Sequence, residues 1–415
     1  MDELIFMLLM LILVIFTINS FFLQKLEKNY IFIFNIWWLF WLGISYLNIG
    51  QFYKIELKTY IYIYTGIIMF NLPLYFFINN PQKLKPNLNI KKIKILMLIE
   101  CCFIIINLFY LIKMILIIKS SDNYWMVRFI FYGINFGEIN LKLFSNSANV
   151  HLYNLFRTIS LTNFLIGISL LEKNKKILVL SFFNVILYCL ISGGREFISY
   201  LIIIGIFSFK AKIIKKNIKL ILLLILCTLV MTLFREASLK KVFMAIITYY
   251  SGAIAYFDYL LKHNNDKFYN GELLFSGIIA PIKFLLRYIG FKISNSGLSE
   301  VGTELMKFVQ LSDTNSFFKF YNALATAFYW QYKDFGYFGI VITNLLLGIF
   351  YRIFYKKLEI RNLNHIAISS YLEYLMIQSI FSFKYIDFFS ILPLIIYIII
   401  LERRKNVSTN FNNSL

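Results

Sequence analysis

The stretch "KILVLSFFNVILYCLISGGREFISYLIIIGIFSFK", residues 176–210, decides the class of fold. Two apolar runs, 177–192 and 197–209, flank Ser192, Gly193, Gly194, Arg195 and Glu196. A helix needs about 18–20 apolar residues to cross a hydrocarbon core of roughly 30 Å. The second run is short and is expected to continue helically past Lys210. Paired glycines let a chain reverse between two spans, because glycine takes positive φ without a Cβ clash. The stretch reads as a membrane hairpin whose polar tip carries an arginine beside a glutamate.

The same pattern extends in both directions. Apolar blocks fall near 3–23, 30–48, 59–78, 95–118, 151–171, 177–192, 197–209, 220–234, 336–355, 365–382 and 386–401. The 415 residues are 60% hydrophobic and 19% aromatic, with a mean hydropathy of +0.70. Soluble proteins lie nearer half apolar. The expectation is an all-α polytopic integral membrane protein of about eleven transmembrane helices in one membrane domain. Residues 1–234 hold the first eight spans, 235–335 a large loop, 336–401 the last three spans and 402–415 a tail. The opening "MDELIF" lacks a basic flank and a small-residue cleavage site, so the first block is expected to be retained as a helix.

The formal net charge is +21, which raises the question of nucleic acid. Lysine-rich loops that fix membrane orientation account for it more simply. Basic segments at 82–94, 172–176, 210–219, 351–361 and 402–406 fall on alternate loops. The positive-inside rule then makes the C-terminus cytoplasmic and the N-terminus external, in a plasma (inner) membrane, with no nucleic-acid partner. On the outer side lie the loops 119–150 and 235–335. Within the second, "VFMAIITYYSGAIAYFDYLL" and "SGIIAPIKFLLRYIGF" read as amphipathic or interfacial helices.

Cys101, Cys102, Cys189 and Cys227 lie inside apolar runs without metal-ligand spacing, and His151, His263 and His365 form no zinc signature. No metal and no cofactor is expected. The arginines say more. Only nine of the 42 basic residues are arginine, and Arg128, Arg157, Arg195, Arg235 and Arg287 all fall on the expected outer side. Arg157 lies about 9 Å below the outer end of its helix at 1.5 Å per residue. A charge at that depth faces a cavity or a partner, or snorkels to the interface. Arginine clusters favour phosphates through bidentate, permanently charged hydrogen bonds. A lipid-linked anion such as a polyprenyl diphosphate matches both the charge and the depth.

Two segments interleave aromatic rings with polar groups: "ITYYSGAIAYFDYLLKHNNDKFYNG" (247–271) and "FYNALATAFYWQYKDFGYFG" (320–339). Tyr249, Tyr250, Tyr256 and Tyr329 supply rings that stack on sugar faces or form an interfacial belt, while Asp258, Asn322 and Asp334 go beyond what a belt needs.

On these residues the chain resembles the oligosaccharide repeat-unit polymerases of bacterial surface polysaccharides, the Wzy-type O-antigen and capsule polymerases. "ISGGREF" (191–197) is similar to the family's Gly–Arg turn, "YYSGAIAYFDYLL" (249–261) to the start of its outer loop, and "YNALATAFYWQYKDFGYFGI" (321–340) to the stretch that closes it. Relatives often carry a threonine directly after the asparagine, where this chain reads Asn322-Ala323-Leu324-Ala325-Thr326. The resemblance covers about 190–355 and implies a GT-C-like fold. It also implies a metal-independent glycosyltransferase whose donor glycan and acceptor repeat unit are both held on undecaprenyl diphosphate. In that role Arg195 and Arg235 stabilise the leaving diphosphate, with Arg157 and Arg287 in support. Asp258 is the first candidate for the base and Asp334 the second, with Glu196 and His263 as further substrate-binding candidates. Implied partners are the bilayer, a chain-length regulator and the flippase of the same pathway.

Two other readings remain open. An O-antigen ligase would move the same donor onto a different acceptor. A lipid-linked oligosaccharide flippase would place ionisable groups near the midplane, where Glu100, Lys113 and Glu373 fall within apolar runs. A transporter leaves an internal repeat that this sequence lacks, and it does not need a 100-residue outer loop.

Overall fold

The computed structural model describes residues 2–23, 30–76, 87–88, 90–121, 127–133, 142–144, 147–170, 175–194, 200–204, 239–263, 267–293, 297–312, 320–321, 324–356 and 363–402. Almost all of them are helical. In chain order the helices are α1 (Asp2–Leu23), α2 (Tyr30–Tyr46), α3 (Leu57–Phe76), α4 (Ile90–Ser121), α5 (Val127–Tyr132), α6 (Ser147–Ser169) and α7 (Lys176–Ser192). There follow α8 (Leu239–Lys262), α9 (Ser276–Tyr288), α10 (Gly297–Leu305), α11 (Ala327–Lys356), α12 (Leu363–Ile377) and α13 (Phe388–Ile400). Two-residue strands β1 (Asn87–Leu88) and β4 (Leu401–Glu402) pair antiparallel, as do β2 (Val309–Gln310) and β3 (Phe320–Tyr321).

Three helical segments, Asp2–Phe22, Lys91–Lys119 and Ala327–Ile353, are long and apolar enough to cross a membrane, and shorter apolar helices cover Ile31–Tyr46, Lys176–Ser192 and Phe388–Ile400. Their outward faces carry large apolar side chains, among them Leu4, Leu8 and Leu11 on α1 and Leu98, Ile105 and Phe109 on α4. Such continuous apolar surface suits hydrocarbon rather than water. The described residues are mostly helical, with the length and apolar surface that an α-helical membrane protein needs. Of the expected span 197–209 only 200–204 is described, and 220–234 lies wholly outside the described residues.

The chain divides into two compact units. Unit 1 comprises Met1–Asn80, Lys219–Lys356 and Ser369–Ile391; unit 2 comprises Pro81–Ile218, Lys357–Ile368 and Leu392–Leu415. In unit 1 the main packing is α3 against α11, with α1, α2 and α8 around α3. That approach is close enough that a Cβ on Gly348 would lie 2.3 Å from the Phe70 carbonyl oxygen. Small residues at such a crossing let two backbones meet, the usual device between helices in lipid.

Two boundaries differ from the sequence expectation. The last part of the loop does not run to 335: α11 begins at Ala327 and is interrupted at Phe335 and Gly336. The span expected over 365–382 ends as α-helix at Ile377 and gives way to 3₁₀ turns at Gln378–Ile380 and Lys384–Ile386. Indoles of α2 meet the helix end there, Trp37 Nε1–H donating to the Ile377 carbonyl at 3.2 Å and Trp38 Nε1–H to Ser379 Oγ at 3.2 Å. Asp387 then opens α13, accepting Phe389 N–H at 3.1 Å and Ser390 Oγ–H at 2.9 Å.

In unit 2, α7 packs on both α4 and α6. Phe103, Phe131, Phe144, Tyr153 and Tyr188 form its aromatic core with Met114 and Ile191. Lys113 Nζ donates to the Leu143 carbonyl at 2.7 Å, so this cation serves a loop backbone.

Candidate functional site

The site grows from the interruption in α11. Phe335 (φ −139°, ψ 25°) and Gly336 (φ 62°, ψ −145°) leave the helical region, and only glycine adopts the second conformation without strain. A break strips the preceding carbonyls of their intrahelical donors. The turn at 269–275 replaces them: Tyr269 N–H donates to the Lys333 carbonyl at 3.0 Å and Asn270 N–H to the Asp334 carbonyl at 3.1 Å. The fully buried Asp334 carboxylate takes Leu273 N–H on Oδ1 at 3.0 Å and Leu274 N–H on Oδ2 at 2.7 Å. Gly339 completes the motif, since a Cβ there would fall 2.1 Å from the Gln331 carbonyl oxygen. Asp334-Phe335-Gly336 with Gly339 is thus a backbone stitch. Asp334 ties the loop turn to α11.

Above the stitch, Tyr329 and Lys333, four residues apart, share one face of α11, and Thr326 immediately precedes the helix. Lys333 is only 3% exposed, and its Nζ stands 3.3 Å from Glu304 Oε2 on α10. The Glu304 side chain remains 31% exposed. The buried Tyr329 hydroxyl faces Glu304, with the Lys333 ammonium 5.8 Å from the Tyr329 ring centre. Tyr256 reaches the same place from α8, its hydroxyl donating to the Leu305 carbonyl at 3.3 Å. At the start of α11 two buried donors, Thr326 Oγ1–H and Trp330 Nε1–H, have no hydrogen-bond partner. Buried polar groups are ordinarily satisfied.

A second ring of charge surrounds Tyr269. Its hydroxyl donates to Glu300 Oε2 at 3.0 Å, and Lys267 pairs with the same carboxylate. Burial, then the Glu300 carboxylate, pushes the Tyr269 phenol above its ordinary range. Lys267 and the Tyr269 hydroxyl hold Glu300 below the usual carboxylate range. Glu272 Oε1 accepts from Lys283 Nζ at 2.6 Å and from Gly297 N–H, the start of α10, at 3.0 Å. Burial alone would raise the Glu272 carboxyl, but these two donors more than offset it and hold the group below its ordinary value.

Asp258, 1% exposed, is equally committed to framework contacts. Its Oδ1 accepts Thr59 Oγ1–H at 2.5 Å and Glu56 N–H at 3.1 Å, just ahead of α3, and its Oδ2 stands 2.7 Å from Lys262 Nζ. Lys262 also lies 4.8 Å from the Tyr53 ring centre. This clamp joins α8 to α3.

The other sequence candidates are dispersed. Tyr250 stacks on Trp41 at 4.3 Å between ring centres, within an aromatic cluster that includes Trp37 and Phe381. The carbonyl of Tyr249 accepts the Tyr321 hydroxyl at 2.8 Å. His263 is exposed and stacks on Tyr259 at 4.1 Å. Arg287 is exposed near the end of α9. Arg157 belongs to unit 2, where it donates to the Tyr188 hydroxyl at 3.4 Å. Arg195, Glu196, Arg235 and Asn322 lie outside the described residues.

Of the residues chosen from sequence, the structure brings Tyr256 and Tyr329 together. Glu304 and Lys333 were missed. The spacing of Tyr329 and Lys333 was available as a signal; the pairing with Glu304, 29 positions away, was not. Among the described residues no cluster of three histidine, cysteine or carboxylate groups offers a metal site. No protein-family model, curated protein or solved structure matches the chain.

Proposed function

We propose that the chain is a surface-polysaccharide polymerase of the Wzy type. It works in a plasma membrane with about eleven spans, its N-terminus outside and its C-terminus cytoplasmic. The observation that supports this reading is the partly exposed Glu304 carboxylate against the buried Lys333 ammonium, beside Tyr329 and Tyr256. Aromatic faces beside a carboxylate are the chemistry that holds sugars. In this reading a hydroxyl of the incoming lipid-linked repeat unit attacks the anomeric carbon of the donor glycan. The bond from that carbon to the diphosphate oxygen breaks, and the electron pair leaves with undecaprenyl diphosphate. Arg195 and Arg235 neutralise the new charge. The hydroxyl proton goes to Glu304, the member of the trio Asp258, Asp334 and Glu304 whose carboxylate retains solvent access.

The test uses purified protein in nanodiscs with a lipid-linked repeat unit from the source organism, EDTA and no nucleotide sugar. A ladder of longer lipid-linked glycans is expected. It should vanish in Arg195→Ala and fall by about 10²–10⁴ in rate in Glu304→Gln, the usual contribution of a general base. Absence of a ladder, with faster movement of the same lipid across a sealed bilayer, would establish the flippase instead.

A further inference from the structure

Unit 2 contains a polar site that the polymerase reading leaves unused. Glu100 stands about a third of the way along α4, inside Lys91–Lys119, a segment long and apolar enough to cross a membrane, and is 1% exposed. Its Oε1 accepts Asn163 Nδ2–H at 2.8 Å, and its Oε2 accepts Ser160 Oγ–H at 3.1 Å together with an Asn184 Nδ2–H. The donors extend outward as a directed chain. The Tyr153 hydroxyl donates to Asn107 Oδ1, Asn107 Nδ2 donates to Asn184 Oδ1 at 2.9 Å, and Asn184 donates to Glu100.

Every one of these donors is neutral. The titratable groups facing this layer from α6 and α7 are Tyr153, Arg157, Tyr188 and Cys189. Arg157 turns its guanidinium over the Tyr188 ring, 5.3 Å from its centre. Among the described residues no lysine, arginine or histidine pairs with Glu100. A lone carboxylate in a low-dielectric interior is costly even when hydrogen-bonded, because amide and hydroxyl dipoles do not cancel its charge. A second observation points the same way: Asn163 is fully buried and its Oδ1, on the amide that donates to Glu100, has no partner. The site has one negative charge, and the amide that donates to it carries a spare oxygen.

We propose that Glu100 and Asn163 form a membrane-embedded binding site for a single positive charge, a proton or a small monovalent cation such as sodium. The Glu100 carboxylate, Asn163 Oδ1 and Ser160 Oγ are the oxygens that receive it. A divalent ion is disfavoured, since one carboxylate would leave a net charge in the same dry interior.

The test treats wild-type protein in nanodiscs with a hydrophobic carbodiimide, which modifies carboxyl groups only when protonated, from about pH 5 to 9. Parallel samples contain sodium or choline chloride, adducts are mapped by mass spectrometry, and thermal unfolding is recorded in both salts. A bound proton predicts an adduct on Glu100 that declines as pH rises, equally in both salts. A bound sodium ion predicts suppression of the adduct by sodium and a rise in Tm of roughly 3 °C per tenfold increase in sodium above Kd. Glu100→Gln is expected to abolish both responses. No adduct at any pH together with equal Tm in the two salts would overturn the proposal, and these wild-type measurements decide it even if the variant does not fold.

Discussion

Replacing Asp334 by alanine removes the acceptor of two backbone donors, Leu273 N–H at 3.0 Å and Leu274 N–H at 2.7 Å. A hydrogen bond to a charged group contributes about 1.5–3 kcal/mol, and a buried donor left unmade costs a similar amount. The Leu273 group is fully buried and the Leu274 group partly so, which sets the expected loss at about 3–5 kcal/mol. For a domain of 150–250 residues each kcal/mol shifts Tm by roughly 2–4 °C, so Asp334→Ala should unfold about 6–20 °C below wild type. Asp334→Asn keeps one acceptor oxygen and should lose about half as much. The assay is thermal unfolding in nanodiscs followed by tryptophan fluorescence, with glycan transfer measured on the same preparations. A Tm within about 2 °C of wild type for Asp334→Ala would refute the stitch. So would an Asp334→Asn protein with unchanged Tm and no transfer, because that is the behaviour of a catalytic base.

Other perturbations test neighbouring parts of the same unit. Gly336→Ala forces a Cβ into φ 62°, ψ −145°, and should cost roughly 1–3 kcal/mol, read as a lowered Tm. In the Asp258–Lys262 pair, Asp258→Ala should cost more than Lys262→Met. Lys262 is partly exposed and its loss leaves Asp258 two other donors, whereas loss of Asp258 strands Thr59 and Glu56 N–H as well. A double-mutant cycle on the pair, expected to give a coupling of about 0.5–3 kcal/mol, checks this, and additivity would refute the clamp. Because the folded Glu272 carboxyl lies below its ordinary value, its stabilising contribution is complete above the unfolded value and fades as pH falls through the folded one. Wild type should therefore lose more Tm than Glu272→Gln on acidification below about pH 4.5. Parallel acid curves would show that the Lys283 and Gly297 contacts carry no stability.

Element identity was legible because in this chain it depends on length and hydropathy alone. The apolar blocks at 3–23, 30–48 and 177–192 match α1, α2 and α7 to within two residues, since the end of an apolar run is also the end of what lipid can cover. Legibility failed where a long-range contact overrides the local pattern. Asp-Phe-Gly looks like a helix start, but the carbonyls it exposes are taken by a turn some 60 positions earlier, so α11 continues through it. Likewise α12 stops at Ile377 because indoles of α2 meet the carbonyl and hydroxyl there, a fact written about 340 positions away.

The candidate site obeys the same division. The resemblance made Asp258 and Asp334 candidate bases, while Glu304, in "GLSEVGTEL", carried no motif that singled it out. The distinction between them is solvent access. Asp334 meets backbone N–H groups, and Asp258 meets a backbone N–H with fixed side chains; both are sealed from solvent, so ionisation there serves the fold. Glu304 meets the Lys333 side chain and keeps nearly a third of its surface open, which is why the proposed mechanism assigns the base to it. Asp258 too has a lysine partner, so what separates Glu304 from Asp258 and Asp334 is its open surface, and its pairing with Lys333 across 29 positions is what the fold adds to the sequence.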